Sequence, residues 1–337
     1  MFTGHLQLQN LLQTLCSGIA VWTNCILFLL IVYKSPTNLG AYKYLMIYIS
    51  VFEIFYAIFD ATALPNLYSN GSGFLVVLNS NRSILPRKSL QFLNYVFCGS
   101  FGVSMAIFAV HFVFRYLVVS GRKEWTRQSR IFVWILIPSV SGVVWAVSCA
   151  IFIGPNATSD VYLRSEVLRA YHATFSDLSY VGPVFDSNAT NIEAFSGLMI
   201  MTSILFFSFS TMLYFGLKCH SEVRALARKS TCSFRYKTLQ AELFYGLVAQ
   251  SLIPVTLLHM PATLVFFSTF LGKSRLIYGE LLVLTNAIYP VLDPLPNMLI
   301  IKSYRKAIIS LPTYIFKRRG SRVSAMSNYK LPRSGSA

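Results

Sequence analysis

The stretch L-L-Q-T-L-C-S-G-I-A-V-W-T-N-C-I-L-F-L-L-I-V-Y, Leu11 to Tyr33, runs for 23 residues without a charged side chain. An α-helix rises about 1.5 Å per residue, so roughly 20 such residues reach across the hydrocarbon core of a bilayer. Six more runs of this kind follow: Tyr44 to Leu64, Phe92 to Leu117, Ile131 to Phe152, Phe195 to Leu217, Leu243 to Phe267 and Leu276 to Ile301. Together they occupy half of the 337 residues. Because the runs are continuous and do not alternate, a transmembrane β-barrel is excluded, and nothing between them has the periodicity of a separate soluble domain. The expected fold is an all-α membrane protein. A seven-transmembrane helix bundle takes residues 1–311, and a basic, Ser-containing, disordered tail takes 312–337.

Composition and charge agree. The chain is 55% hydrophobic and only 12% charged, against about 25% charged in soluble domains, and its mean hydropathy is +0.56. A soluble enzyme is excluded. The net charge of +17 is unevenly placed: 22 of the 29 Lys and Arg lie in 34–43, 115–130, 218–242 and from 302 onward. By the positive-inside rule these segments are cytoplasmic, so the N-terminus lies outside and the C-terminus is cytoplasmic. The basic balance therefore reports topology, and no nucleic-acid partner is needed. Met1 to Asn10 holds no Lys or Arg, so the first run lacks the basic start of a signal peptide and is expected to stay as an anchor. The N-x-[ST] glycosylation acceptors begin at Asn70, Asn81, Asn156 and Asn188, all in loops assigned to the outside. Asn70 and Asn188, farther from helix ends, are the better glycan candidates.

The six cysteines are Cys16, Cys25, Cys98, Cys149, Cys219 and Cys232, and their spacing matches no zinc pattern. Cys98 and Cys149 both fall in outer portions of their runs, where they either pair or pack as small apolar thiols; packing is the favoured reading. Juxtamembrane Cys219 is a weak palmitoylation candidate.

Four stretches carry a resemblance. They are P-T-N-L-G-A-Y-K-Y-L-M-I-Y-I-S-V-F-E (Pro36 to Glu53), H-F-V-F-R-Y (His111 to Tyr116), K-T-L-Q-A-E-L-F-Y-G-L-V-A-Q-S-L-I-P (Lys237 to Pro254) and Y-P-V-L-D-P-L-P-N-M-L-I-I-K-S-Y-R (Tyr289 to Arg305). Together the chain resembles the nematode seven-transmembrane chemoreceptors of the serpentine receptor class r, or Str, family. The resemblance implies a G-protein-coupled, olfactory-type chemosensory receptor in the plasma membrane, in the cilium of sensory neurons. Its implied partners are a small-molecule ligand such as a volatile odorant, a heterotrimeric G protein and the lipid bilayer. No enzyme activity and no cofactor are implied. Compared with rhodopsin-like receptors, Phe114 replaces the acid before Arg115, and Asp293 with Pro294 stands where Asn-Pro is usual. The alternative is a seven-helix ligand-gated ion channel or another membrane protein. Channels of that kind place the N-terminus inside, against the charge count and the sequons.

Polar residues inside the runs narrow the site. Asn24, Glu53 and Asp293 fall eight or nine residues above the inner ends of runs one, two and seven, so they are expected to share a layer that acts as a polar switch or as static glue. At the inner edge Arg115 and Tyr116 are candidates for G-protein coupling, with Glu242 as the ionic partner that latches Arg115. Snorkelling of Arg115 to phosphates is the competing reading. The ligand pocket is expected between runs three, five, six and seven, at Phe101, Met105, His259, Thr263 and Glu280, with His259 paired to Glu280. Pro254 and Pro261 in run six, and Pro290, Pro294 and Pro296 in run seven, predict kinks. Tyr304, Ala307, Ile308 and Leu311 repeat as the apolar face of a short interfacial helix. Beyond it, Arg318-Arg319-Gly320-Ser321 matches a basophilic-kinase pattern, with tethering to anionic lipid as the simpler role for these charges.

Overall fold

The computed structural model describes residues 2–84, 87–122, 124–167, 174–185, 191–230 and 232–310. Asn188, Leu311 and the 312–337 tail lie outside them. Seven helices among the described residues are long and apolar enough to cross a membrane. They are α1 (Phe2–Lys34), α2 (Tyr42–Ala63), α3 (Leu90–Val119), α4 (Ile131–Phe152), α5 (Ile192–Arg228), α6 (Phe234–Phe270) and α7 (Leu276–Ile300). An eighth helix, α8, covers residues 302–310.

The α4 bounds coincide with the apolar run, but other helices extend past theirs, because polar helix formers continue a helix that hydropathy alone would end. Nine residues are added at the start of α1, where Leu6 packs with Tyr68 and Leu75 and Gln9 donates to Asn66 Oδ1 at 2.8 Å. Beyond Leu217, α5 continues as an amphipathic turn series that buries Cys219, Val223 and Leu226. Ser233 caps the start of α6 by accepting from the Tyr236 N–H.

A three-stranded antiparallel sheet lies across the end of the bundle that holds the start of α1, and the sequence reading did not anticipate it. Its strands are β1 (Asn66–Asn70), β2 (Gly73–Asn79) and β3 (Leu178–Val181), in the order β1-β2-β3. Side chains alternate across a strand. Phe74, Val76 and Leu78 of β2 therefore pack down onto Tyr56, Phe97, Leu258 and Leu282, while Leu75 and Val77 pack on Leu6, Leu163 and Tyr180. Both faces of β2 are covered, so the strand is uniformly buried.

Within the bundle α3 is the central helix and α5 faces mostly outward. Small residues let α3 and α4 approach closely, as expected where lipid gives no hydrophobic drive between helices. A Cβ on Gly142 would stand 2.2 Å from Val103 Cγ2, and one on Gly99 would stand 2.8 Å from the Gly142 carbonyl. The expected proline distortions are present. Between Pro254 and Pro261, α6 opens into a π-helical turn over Val255–His259, and α7 is interrupted between Leu292 and Leu295, at Asp293 and Pro294.

Candidate functional site

Beneath the sheet lies a cavity of about 590 Å³, mouth included. Phe74, Val76, Val181 and Pro183 roof it; Tyr56, Phe97, Phe101, Trp145, Met201, Phe266 and Leu282 wall it; Asn286 is among its few polar groups. Of the five residues expected to form the pocket, Phe101 lines it. Met105 is buried instead in the core with Ile49, Met212 and Leu247. His259 sits behind Phe101, ring edge to ring face at 4.6 Å between centroids, and its Nε2 pairs with Ser104 Oγ at 3.3 Å. The expected His259–Glu280 pair is thus replaced by one to α3, because the π turn carries the imidazole toward that helix. Thr263 is exposed, with its hydroxyl donating to the His259 carbonyl at 2.8 Å, and Glu280 is half-buried in the first turns of α7. The wall residues missed by sequence reasoning come from the sheet and from α2 to α7, and no sequence spacing points at them.

Asn24, Glu53 and Asp293 are brought together one level further from the sheet. The Glu53 carboxyl lies within hydrogen-bonding reach of Asp293 and Asn24. Two buried carboxyl groups in contact are tolerable when they hold a proton between them. Pro294 has no N–H, which orphans the carbonyl of Pro290 four residues earlier. Asn24 Nδ2 supplies the missing donor at 3.0 Å, so the α7 break is held open by α1. Two further members were missed: Gln250 Nε2 donates to Asp293 Oδ2, and Gln250 Oε1 accepts from Asn297 Nδ2 at 2.7 Å. Tyr289 lies between this layer and the cavity, its ring 5.5 Å from that of Tyr56. Its hydroxyl, Glu53 Oε2 and Asp293 Oδ1 are buried and have no hydrogen-bond partner among the described residues. A separate cluster nearer the sheet joins Asp60 to Gln13 Nε2 and Ser17 Oγ, both at 3.2 Å.

At the tail end Arg115 does not snorkel. It is 1% exposed, lies over the Tyr42 ring at 4.9 Å, and its Nη2 donates to both the carbonyl and Oε1 of Gln240, at 3.2 and 2.6 Å. The expected Arg115–Glu242 latch is therefore not the contact made. Glu242 instead accepts from the Lys302 backbone N–H at 3.0 Å, placing a carboxylate at the N-terminus of α8, where orphan N–H groups and the helix dipole favour it. Tyr116 is half-buried against Phe215. Tyr304 of α8 is fully buried and shares a 2.8 Å hydrogen bond with Ser35, and burial has its phenol pushed up to about 12. In the loop after α4, burial and the Asp160 carboxylate push the Tyr180 phenol up.

Of the sequon asparagines, Asn81 and Asn156 are exposed, whereas Asn70 is half-buried because its loop is folded into the sheet. All three lie at the sheet end.

The sequence profile of the family described as serpentine type 7TM GPCR chemoreceptor Str matches residues 9–309. The G-protein coupled receptor str-217 of Caenorhabditis elegans is 31% identical over 312 residues, 89% of this chain and 88% of that one. Serpentine receptor class r-10 of the same organism is 28% identical over 283 residues, 81% of this chain and 82% of its own. Among solved structures, squid rhodopsin superimposes with a TM-score of 0.61 at 12% identity, covering 99% of this chain and 93% of that one. At that identity the likeness establishes the seven-helix fold alone.

Proposed function

Because the chain belongs to the Str family of serpentine seven-transmembrane chemoreceptors, and so is a multi-pass chemosensory receptor of the G-protein-coupled type, we propose that the cavity under the sheet is its ligand site and that the Asn24–Glu53–Asp293 layer relays occupancy to the tail end. The observation that carries this reading is continuity. Tyr56 lines the cavity and packs against the Tyr289 ring, and Tyr289 adjoins the two carboxyl groups that sit at the α7 break. The lining is apolar and aromatic with one amide, Asn286, that suits a small, weakly polar molecule bearing one acceptor. A ligand that displaces Tyr56 or Leu282 favours one arrangement of the α7 break over the other, and it shifts the equilibrium by its differential affinity. His259, behind Phe101, and Met105, below it, shape the floor; Thr263 and Glu280 stand outside the contact shell.

At the far end Arg115 and Gln240 tie α3 to α6, and Tyr116 packs on α5. Release of this tie opens the crevice that a heterotrimeric G protein enters, with Arg115 freed for the partner. In this reading the sheet end and its sequons face outside, and the tail end, with most of the basic residues, faces the cytoplasm. Glycans fall at Asn81 and Asn156 first, and at Asn70 and Asn188 where the loop admits them. The cell site is the plasma membrane, specialised to the sensory cilium.

The test fills the cavity. Ala262→Leu, at normal surface expression, is expected to abolish the concentration response to an agonist found by screening small apolar volatiles against G-protein dissociation, while agonist-independent coupling persists. An unchanged response overturns the assignment.

A further inference from the structure

Three sulfur atoms meet in one part of the cavity wall. Cys149 on α4, 2% exposed, directs its thiol to the Met201 thioether on α5 at 3.8 Å. The Cys98 thiol on α3, which donates to Asn94 Oδ1 at 4.0 Å, lies beside the same Cys149 sulfur. All three sulfur residues line the cavity, and both cysteines are free thiols.

The chemistry of this set is selective. Thiolate and thioether are soft donors that prefer monovalent copper or silver to hard cations, which want carboxylate or carbonyl oxygen. Among the described residues no Asp, Glu or His lines the cavity to hold a harder ion. Geometry agrees: three sulfurs placed trigonally at about 2.3 Å from an ion stand about 4 Å from one another. The Cys149–Met201 separation of 3.8 Å matches that spacing. Three helices supply one donor each, so the spacing is set by bundle packing and exists before any ion arrives. The Gly99–Gly142 crossing is what brings α3 and α4 close enough for Cys98 to reach Cys149.

We infer that Cys98, Cys149 and Met201 form a binding site for one monovalent soft metal ion, copper(I), in the wall of the cavity. Binding forms two copper–thiolate bonds and one copper–thioether bond. It releases one proton from each cysteine and leaves the metal's oxidation state unchanged. The complex carries one net negative charge, shared over its sulfurs.

The experiment uses the full-length receptor, reduced and reconstituted in nanodiscs, titrated with copper(I) against the chromogenic chelator bathocuproine disulfonate. One ion per receptor is expected. Cys98→Ser and Cys149→Ser each abolish it, Met201→Leu weakens it roughly tenfold, and replacing Cys16, Cys25, Cys219 and Cys232 together with serine leaves it in place. X-ray absorption of the loaded receptor is expected to show a first shell of sulfur only. Should the serine variants not fold, silver(I) added to native membranes is expected to protect Cys98 of the unmodified receptor from maleimide. Failure of the unmodified receptor to bind, stoichiometry unchanged in the Cys98→Ser/Cys149→Ser double variant, absence of silver protection, or a Cys98–Cys149 disulfide found by mass spectrometry in receptor isolated without reductant would each overturn the inference.

Discussion

Along the bundle axis the interior changes character. Beside the sheet, Phe97, Phe101, Trp145 and Leu282 surround unfilled space with Asn286 as one of its few polar groups; past His259 the bundle brings together Glu53, Asp293, Gln250 and Asn297, and then Arg115 with Gln240. The two halves obey different rules. An apolar wall loses little when its shape changes, because a ligand or a repacked side chain restores the contacts. In the polar half each group depends on a named partner, and a buried donor or acceptor left alone costs its whole desolvation. The first half can accept variety, whereas the second has a small number of discrete hydrogen-bonded arrangements, which is the property a two-state device needs.

This contrast is most severely tested at Arg115. Gln240→Leu leaves a buried guanidinium with the Tyr42 ring and the main-chain carbonyl of residue 240 but no side-chain acceptor, and the expected loss is about 3 kcal/mol, seen as a collapse of surface expression or of the thermal midpoint. Arg115→Met combined with Gln240→Leu removes both partners and is expected to recover most of that stability without recovering coupling. Equal instability of the single and double variants would break the contrast. Next in size is Gln250→Leu, which strips Asp293 of a donor and Asn297 of an acceptor; about 2–3 kcal/mol should be lost by thermal unfolding in detergent.

The outcome at Tyr304 depends on pH. Its phenol is raised from 10.0 to about 12, so the folded state favours the protonated form. That contribution, about 2 kcal/mol, is fully present below pH about 10 and is lost as pH rises toward about 12. Alkaline melting of the unmodified receptor should fall through this window, and Tyr304→Phe should flatten it. The smallest stability effect is expected in the cavity wall: Phe101→Leu should cost about 1 kcal/mol while moving agonist potency by more than any tail-end variant that still reaches the surface. A cavity variant as destabilising as Gln250→Leu would show that the wall is as rigid as the polar layer.

How far the sequence reveals these halves differs for a physical reason. The seven spans are visible because a bilayer demands unbroken apolar runs, and depth counting along three helices unites Asn24, Glu53 and Asp293 because helical rise is constant. The sheet is hidden because G-F-L-V-V-L-N is buried on both faces, which removes the alternation that marks a half-exposed strand. Arg115 is misassigned to Glu242 because charge logic looks for an acid, and a glutamine two residues earlier satisfies a guanidinium through carbonyl and side-chain oxygen together. His259 is misdirected because its helix is not a uniform α-helix where it sits. Each error arises where chain far apart in sequence, or an irregular turn, decides a neighbour.

That irregular turn has a consequence for how such a chain diversifies. A π turn holds one more residue than an α turn while leaving the helix on either side in register. Loss of one residue from Val255–His259 would tighten the turn and still present Ala262 and Phe266 to the cavity. Loss of one residue between Met260 and Phe270 would instead rotate the face that follows by about 100°. The segment between Pro254 and Pro261 is thus a place where the gene can change length by a codon and keep its pocket, a tolerance that uniformly wound spans do not have.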